Sequence, residues 1–205
     1  MVRIALKNLL NVTFILSSMV GCSRDETNYY PDREAAGLSI FSDNSNNVMS
    51  CYIDGKPWRT HSRVISLFSR WPYEVYIIKD KTNSALDSLA IQWTGHYAGD
   101  ENKTGYISLT LPVAKNFTRK DFSAFKGKRI NVTINNGFFT TSIAGLNLSN
   151  TKGSGTVYFH SAQIDSVAPG VYSGTLSGLF EADFNSFKIV KGRFDHEITP
   201  QQINL

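Results

Sequence analysis

Cysteine is scarce in this chain: Cys22 and Cys51 are the only two among 205 residues. A disulfide-rich scaffold is therefore excluded, and a hydrophobic core must hold the fold together. Cys51 lies in the short apolar run from Val48 to Ile53. In such a run a buried, unreactive thiol is expected rather than a nucleophile.

Motifs for catalysis and metal binding are missing as well. The sequence has no G-x-S-x-G element and no glycine-rich phosphate loop. No two of its four histidines have a zinc-binding spacing: His61, His96, His160 and His196. His160 and His196 are predicted on the solvent-facing sides of strands. We predict no enzymatic activity, no cofactor and no metal. The acids that could still form a glycosidase-type pair across the fold are Glu74, Glu181 and Asp183.

Charge is not concentrated in any one part of the chain. The formal net charge is +4, with 21 basic and 17 acidic residues interspersed. Recognition of nucleic acid needs a clustered basic face or stripe. We therefore predict no nucleic-acid partner.

A long hydrophobic run is also absent. The apolar stretch from Leu9 to Val20 is interrupted by Asn11, Thr13, Ser17 and Ser18. It is shorter than the roughly 20 apolar residues that cross a bilayer as a helix. The stretch follows basic residues at the amino terminus, which is the layout of a secretory signal. The alternatives are a membrane-spanning anchor and an ordinary cleaved signal followed by an incidental cysteine.

The end of this stretch, Met19-Val20-Gly21-Cys22, resembles the lipobox of bacterial lipoproteins. The resemblance implies a signal peptide over residues 1–21 and a lipid-modified Cys22, with membrane lipid as a partner. Residues 22–47 are predicted to form a flexible tether on which Leu38, Ile40 and Phe41 could dock. Residues 23–26 (SRDE) resemble the export tag of surface-exposed lipoproteins of Bacteroides-type bacteria. The predicted location is the outer membrane, on its periplasmic side or exposed at the surface.

Alternating apolar and polar residues dominate from Val48 onward and predict one all-β domain over residues 48–205. About ten or eleven short strands favour an antiparallel β-sandwich, with a lipocalin-like or other closed β-barrel as the alternative. At most one short helix is expected, within residues 117–125, where Thr118 and Asp121 resemble a capping pair.

The last two predicted strands carry the clearest core pattern. Phe180, Phe184 and Phe194 lie on their apolar faces and are predicted to be buried. Gly178 and Gly192 lie on the same faces, where each admits a large aromatic side chain or marks a bulge.

Aromatic residues suggest where a ligand could bind. Trp58 and Trp93 are predicted to fill the core. Trp71 and Tyr73 flank Pro72, and aromatic residues on a turn cannot all point inward. We therefore predict Trp71 and Tyr73 as ligand contacts, for example stacking on a glycan.

Three segments resemble a family of small uncharacterised lipoproteins of Bacteroides-type bacteria. They are residues 52–58 (YIDGKPW), the strand GTVYF at 155–159, and the pair SGLFEA at 177–182 and KGRFD at 191–195. The resemblance implies an exported, lipid-anchored β-domain and adds no activity. The predicted function is a non-catalytic binding or assembly module of the cell envelope that could contact glycans. The alternatives are a structural subunit docking a membrane protein and, third, a carbohydrate-active enzyme.

Overall fold

The computed structural model describes residues 29–60, 72–81, 85–144, 148–168, 171–199 and 203–204. Cys22, His61 and Trp71 lie outside these ranges. The strands of the described chain are β1 (Val48–Ile53), β2 (Lys56–Thr60), β3 (Tyr73–Ile78), β4 (Leu86–Tyr97), β5 (Asp100–Ala114), β6 (Arg129–Val132), β7 (Phe138–Ile143), β8 (Leu148–Ala168), β9 (Val171–Asp183), β10 (Lys188–Ile198) and β11 (Ile203–Asn204). The single α-helix among the described residues is α1 (Arg119–Phe122), followed by a 3₁₀ turn at Ser123–Phe125.

Eight of the strands close into an antiparallel β-barrel. Their order around the ring is β4-β2-β1-β10-β9-β8-β7-β5, and pairing of β5 with β4 completes it. β3 pairs with the same edge of β4 as β2, β11 pairs with β3, and β6 pairs with β8. The all-β class and the short helix are confirmed. The β-sandwich is wrong, and the closed barrel is the observed architecture.

The reason for this error is physical. Alternation with period two buries one face of each strand equally well in a sandwich and in a barrel. Closure depends on which strands meet as neighbours, such as Leu86 with Ala114 and Trp58 with Tyr97. Those pairings are not encoded in the pattern of any one strand.

One position in the ring is filled by two separate strands. β2 pairs with the end of β4, Thr60 opposite Gly95, and β3 pairs with the preceding part, Tyr73 opposite Trp93. Thr60 and Tyr73 therefore lie along the same edge of β4, although twelve residues separate them in the sequence.

Aromatic side chains pack across the centre of the barrel. The Trp93 ring lies 5.6 Å from the Phe180 ring and 5.3 Å from the Phe194 ring, between centroids. Phe139 also stacks on Phe180, at 5.8 Å between centroids. Eight strands enclose a space that side chains can fill or that can hold one small ligand. In this protein the rings of Trp93, Phe139, Phe180 and Phe194 fill part of that space.

Two glycines allow this packing, as predicted. A Cβ atom at Gly178 would lie 2.6 Å from Cζ of Phe194, and one at Gly192 would lie 2.5 Å from Cε1 of Phe180. Gly192 also follows an irregularity in the pairing of β10 with β9. The predicted core residues Trp58, Trp93, Phe180, Phe184 and Phe194 are all buried.

The segment between β5 and β6 packs against the barrel core. Asp121 accepts hydrogen bonds from the backbone N–H and the hydroxyl of Thr118, at 2.8 and 2.7 Å. These bonds start α1, as the sequence predicts, and lower the pKa of Asp121. Phe122 is fully buried, and Phe125 lies 5.2 Å from the Phe159 ring. No helix within the described residues is long and apolar enough to cross a membrane.

Residues 29–47, here called the strap, lie against the outside of the barrel. Leu38 is fully buried, the backbone N–H of Ser39 donates to Ser50 Oγ at 3.0 Å, and Arg193 binds Asp32. Asp195, 2% exposed, accepts hydrogen bonds from the backbone N–H groups of residues 44–46 at 2.8–3.2 Å. The sequence predicts a flexible tether here. In the described part of it, the chain is held to the barrel by these contacts.

Candidate ligand cleft

A cleft of about 670 Å³ lies between α1 and the end of the β8–β9 pair formed by residues 164–166 of β8 and Tyr172 of β9. We call it the end cleft. Its walls include Phe117, Arg119, Lys120, Ile164, Asp165 and Tyr172. Its volume is within the usual range for small-molecule sites, and its lining combines aromatic, aliphatic and charged groups.

Arg119 and Tyr172 both line the end cleft and contact each other. The guanidinium carbon of Arg119 lies 3.9 Å from the centroid of the Tyr172 ring, which is a cation–π contact. Nε of Arg119 is buried and has no hydrogen-bond partner among the described residues. A buried donor without a partner is costly, so a ligand oxygen that accepted this bond would be favoured. An anionic group suits this position best.

The charges around this pair reinforce the same preference. Lys120 adds a second cation to the wall, and Asp165 is the only acid among the described residues lining the cleft. The Asp165 carboxylate already accepts a hydrogen bond from Nε2 of Gln163 at 2.6 Å. The end cleft can thus hold an anion beside flat apolar surface from Phe117 and Tyr172.

A second cleft, about 550 Å³, lies on the opposite face of the same hairpin. We call it the outer cleft. Its lining is mostly polar and includes Asn44, Ser45, Gln163, Asp165, Thr175 and Glu197. The strand register places Gln163, Thr175 and Glu197 side by side across β8, β9 and β10. Two carboxylates, Asp165 and Glu197, therefore line one cleft.

A third, basic cleft of about 360 Å³ lies over β8, β9 and β10 and includes Arg129, Lys191 and Arg193. The Arg193 guanidinium is already engaged, because it donates to Asp32 and to the Ser39 carbonyl. Its hydrogen bond lowers the pKa of the Asp32 carboxyl. This cleft is therefore partly neutralised by the strap.

Of the two predicted ligand contacts, Tyr73 is the one within the described residues, and it does not lie at the surface. Trp71 lies outside the described residues. Tyr73 is fully buried and stacks on His196, with ring centroids 3.9 Å apart. Any turn at Pro72 ends before Tyr73, which is the first residue of β3. Tyr73 lies opposite Trp93, and its side chain faces the core.

His196 is also not where it was predicted. It is fully buried, and its Nε2 accepts a hydrogen bond from Nε1 of Trp93 at 3.0 Å. Burial lowers the pKa of His196 to about 3, so the ring is neutral near pH 7. His196 lies two residues after Phe194 in a regularly paired part of β10, so both side chains occupy the inward face of the strand. His160, in contrast, has a side chain that is 44% exposed, as expected.

The remaining candidate residues are scattered. Glu74 is on β3, Glu181 lines the basic cleft, and Asp183 pairs with Lys188 at 3.0 Å. Cys51 is fully buried, and burial raises the pKa of its thiol far above the usual range. Within the described ranges, no group of three or more His, Cys, Asp or Glu side chains is placed to hold a metal ion.

Comparison with known proteins gives no match: no family model, no curated protein and no solved structure resembles this chain closely enough to be assigned to it. The chemistry of the clefts is therefore the basis for assigning a function.

Sequence reasoning missed Arg119 and Tyr172 as a pair. Each is an ordinary residue in its own segment, one at the start of a short helix and one at the start of β9. They meet only because α1 folds onto the β8–β9 hairpin. No local motif signals this contact.

Proposed function

We propose that this protein is a non-catalytic binding module of the cell envelope, held to the outer membrane by lipid on Cys22. Its end cleft binds a ligand with an anionic group and a flat or apolar face, of which an acidic saccharide is the best-fitting class. The observation that carries the proposal is the Arg119–Tyr172 pair in an open cleft, with its unpartnered Nε–H. Arginine and tyrosine together can bind a carboxylate and stack on a sugar ring.

Binding is tested with the soluble Cys22→Ser chain by isothermal titration calorimetry. The probes are oligogalacturonate, which is acidic, and a neutral dextran oligosaccharide of similar length. We expect binding of the acidic oligosaccharide, weakened at least tenfold by Arg119→Gln or Tyr172→Ala because each removes one half of the Arg119–Tyr172 pair. Lys191→Gln, which removes a cation from the basic cleft, is the matched control and should retain affinity.

Equal binding of both sugars, or equal affinity in wild type and in both cleft variants, would show that the end cleft is not the site. Retained binding in Arg119→Gln but not in Lys191→Gln would move the site to the basic cleft.

The lipid anchor is tested separately, by membrane fractionation of the full-length chain. Cys22→Ser is expected to release the protein from the membrane pellet, because the acyl chains supply the stable attachment. Cys51→Ala is the control and should stay in the pellet, since Cys51 is buried in the barrel. If Cys22→Ser remains in the pellet after a high-salt wash, the anchor proposal fails.

A carbohydrate-active enzyme is a second candidate because Asp165 and Glu197 share the outer cleft. Neutral sugars suit its hydroxyl and amide lining, and a pair of carboxylates is the usual requirement for glycoside hydrolysis. Release of reducing ends from a neutral glycan that is abolished by Glu197→Gln would favour this candidate. Absence of turnover, together with binding in the end cleft, favours the binding module.

A further inference from the structure

Three apolar side chains of the strap are turned toward solvent. Tyr30 is 52% exposed, Ile40 is 40% exposed and Phe41 is 38% exposed. Two of them are neighbours across a short antiparallel bridge: Pro31 pairs with Ser39, and Ile40 N–H donates to the Tyr30 carbonyl at 2.7 Å. Residues that face each other in this way lie on the same side of the strands.

We call the exposed side chains of Tyr30, Ile40 and Phe41 the patch, and the contacts of the strap with the barrel hold the patch in place. Ser39 and Leu38 are fully buried next to it, and Tyr52 Oη donates to the Ala36 carbonyl at 2.8 Å. Phe41 contacts the His160 ring edge-on, at 5.7 Å between centroids. The patch is therefore a rigid surface feature of the barrel rather than part of a loose chain.

The length of the chain between this patch and the predicted anchor limits what can lie against it. Tyr29 follows Cys22 by seven residues. A chain of that length spans at most about 25 Å even when fully extended, and about 15 Å on average if it behaves as a flexible coil. Both distances are less than the thickness of a bilayer with its head groups. The amino-terminal end of the strap must stay near the lipid surface.

We propose that Tyr30, Ile40 and Phe41 contact the lipid surface and fix the orientation of the barrel on the membrane. Tyrosine is favoured at the boundary between head groups and acyl chains, where its amphipathic ring has both environments, and apolar side chains such as those of Ile40 and Phe41 enter the acyl side of that boundary. At the same end of the strap, the Arg59 guanidinium lies 4.7 Å from the Tyr29 ring centroid and can approach anionic head groups. This inference rests on the proposed anchor at Cys22.

The contact is tested with lipidated, full-length protein reconstituted into vesicles of phosphatidylethanolamine and phosphatidylglycerol. Ile40→Cys carries an environment-sensitive fluorophore attached through maleimide. The control is the same label at Ile134→Cys, where the native side chain is 67% exposed on the turn between β6 and β7. Unsubstituted protein should not label, because Cys51 is buried.

We expect the label at residue 40 to emit at shorter wavelength on vesicles than in the soluble Cys22→Ser form, and to be quenched by spin-labelled lipids. The label at residue 134 should show neither change. If the protein floats with the vesicles but the label at residue 40 stays water-exposed, the orientation proposal is overturned and the anchor stands. A shift that requires added envelope proteins would also overturn it, in favour of a protein partner. If the protein does not float with the vesicles, the anchor itself is at fault.

Discussion

Lowering the pH from 6.5 to 4.5 is expected to reduce the free energy of unfolding by about 2 to 3 kcal/mol. His196 is the cause. Its pKa is about 3 in the folded protein, against about 6.5 for a solvated histidine. Between these values the unfolded chain binds a proton that the folded chain does not, so each pH unit removes about 1.4 kcal/mol. The stabilising effect is complete above pH 6.5 and is lost as the pH falls toward 3.

The measurement is urea unfolding at several pH values, followed by tryptophan fluorescence. Several carboxylates also have a lowered pKa, among them Asp32, Asp87 and Asp121. Their contribution to the free energy of unfolding is lost only as the pH falls below about 3.8, the ordinary pKa of an aspartate. The window from pH 6.5 to 4.5 therefore separates the effect of His196 from that of these carboxylates.

A substitution separates His196 from the other groups. His196→Gln removes the titrating ring and should flatten the slope in this window, although it also lowers stability at pH 7. Ser177→Ala changes no titratable group and is the control, which should leave the slope unchanged. A slope that survives in His196→Gln would show that another group is responsible.

Gly178→Ala is expected to destabilise the barrel by about 3 kcal/mol. The added Cβ would lie 2.1 Å from the Tyr158 carbonyl oxygen and 2.6 Å from Cζ of Phe194. The first atom belongs to the backbone of β8 and the second to a buried ring, so neither can move without disturbing its neighbours. Overpacking of this kind in a dense core costs about 1–3 kcal/mol and occasionally more.

Ser177→Ala is the matched control for this substitution. It is the adjacent position on β9, and its buried hydroxyl has no hydrogen-bond partner among the described residues. Removing that hydroxyl should be neutral or slightly stabilising. Thermal unfolding of both variants checks the prediction. Equal melting temperatures for Gly178→Ala and wild type would show that the strands separate more easily than the packing implies.

The elements that sequence predicted well are those with a local cause. The capping pair of Thr118 and Asp121 and the alternation that buries Phe180 and Phe194 depend on residues close in the chain. Barrel closure depends on β4 meeting both β2 and β5, and the cleft depends on Arg119 meeting Tyr172. These are contacts between distant segments, which no local pattern contains. His196 is a different case: the alternation that buries Phe194 also places His196 on the inward face, so the prediction that His196 faces solvent is wrong on local grounds.

β2 and β3 share one edge of β4, and this arrangement affects which changes in chain length the barrel can tolerate. Each of the two strands has its own hydrogen bonds to β4, so an insertion or deletion between Thr60 and Tyr73 need not shift the alignment of either one. Natural relatives and laboratory grafts could therefore differ freely in length at this junction while the rest of the wall stays unchanged.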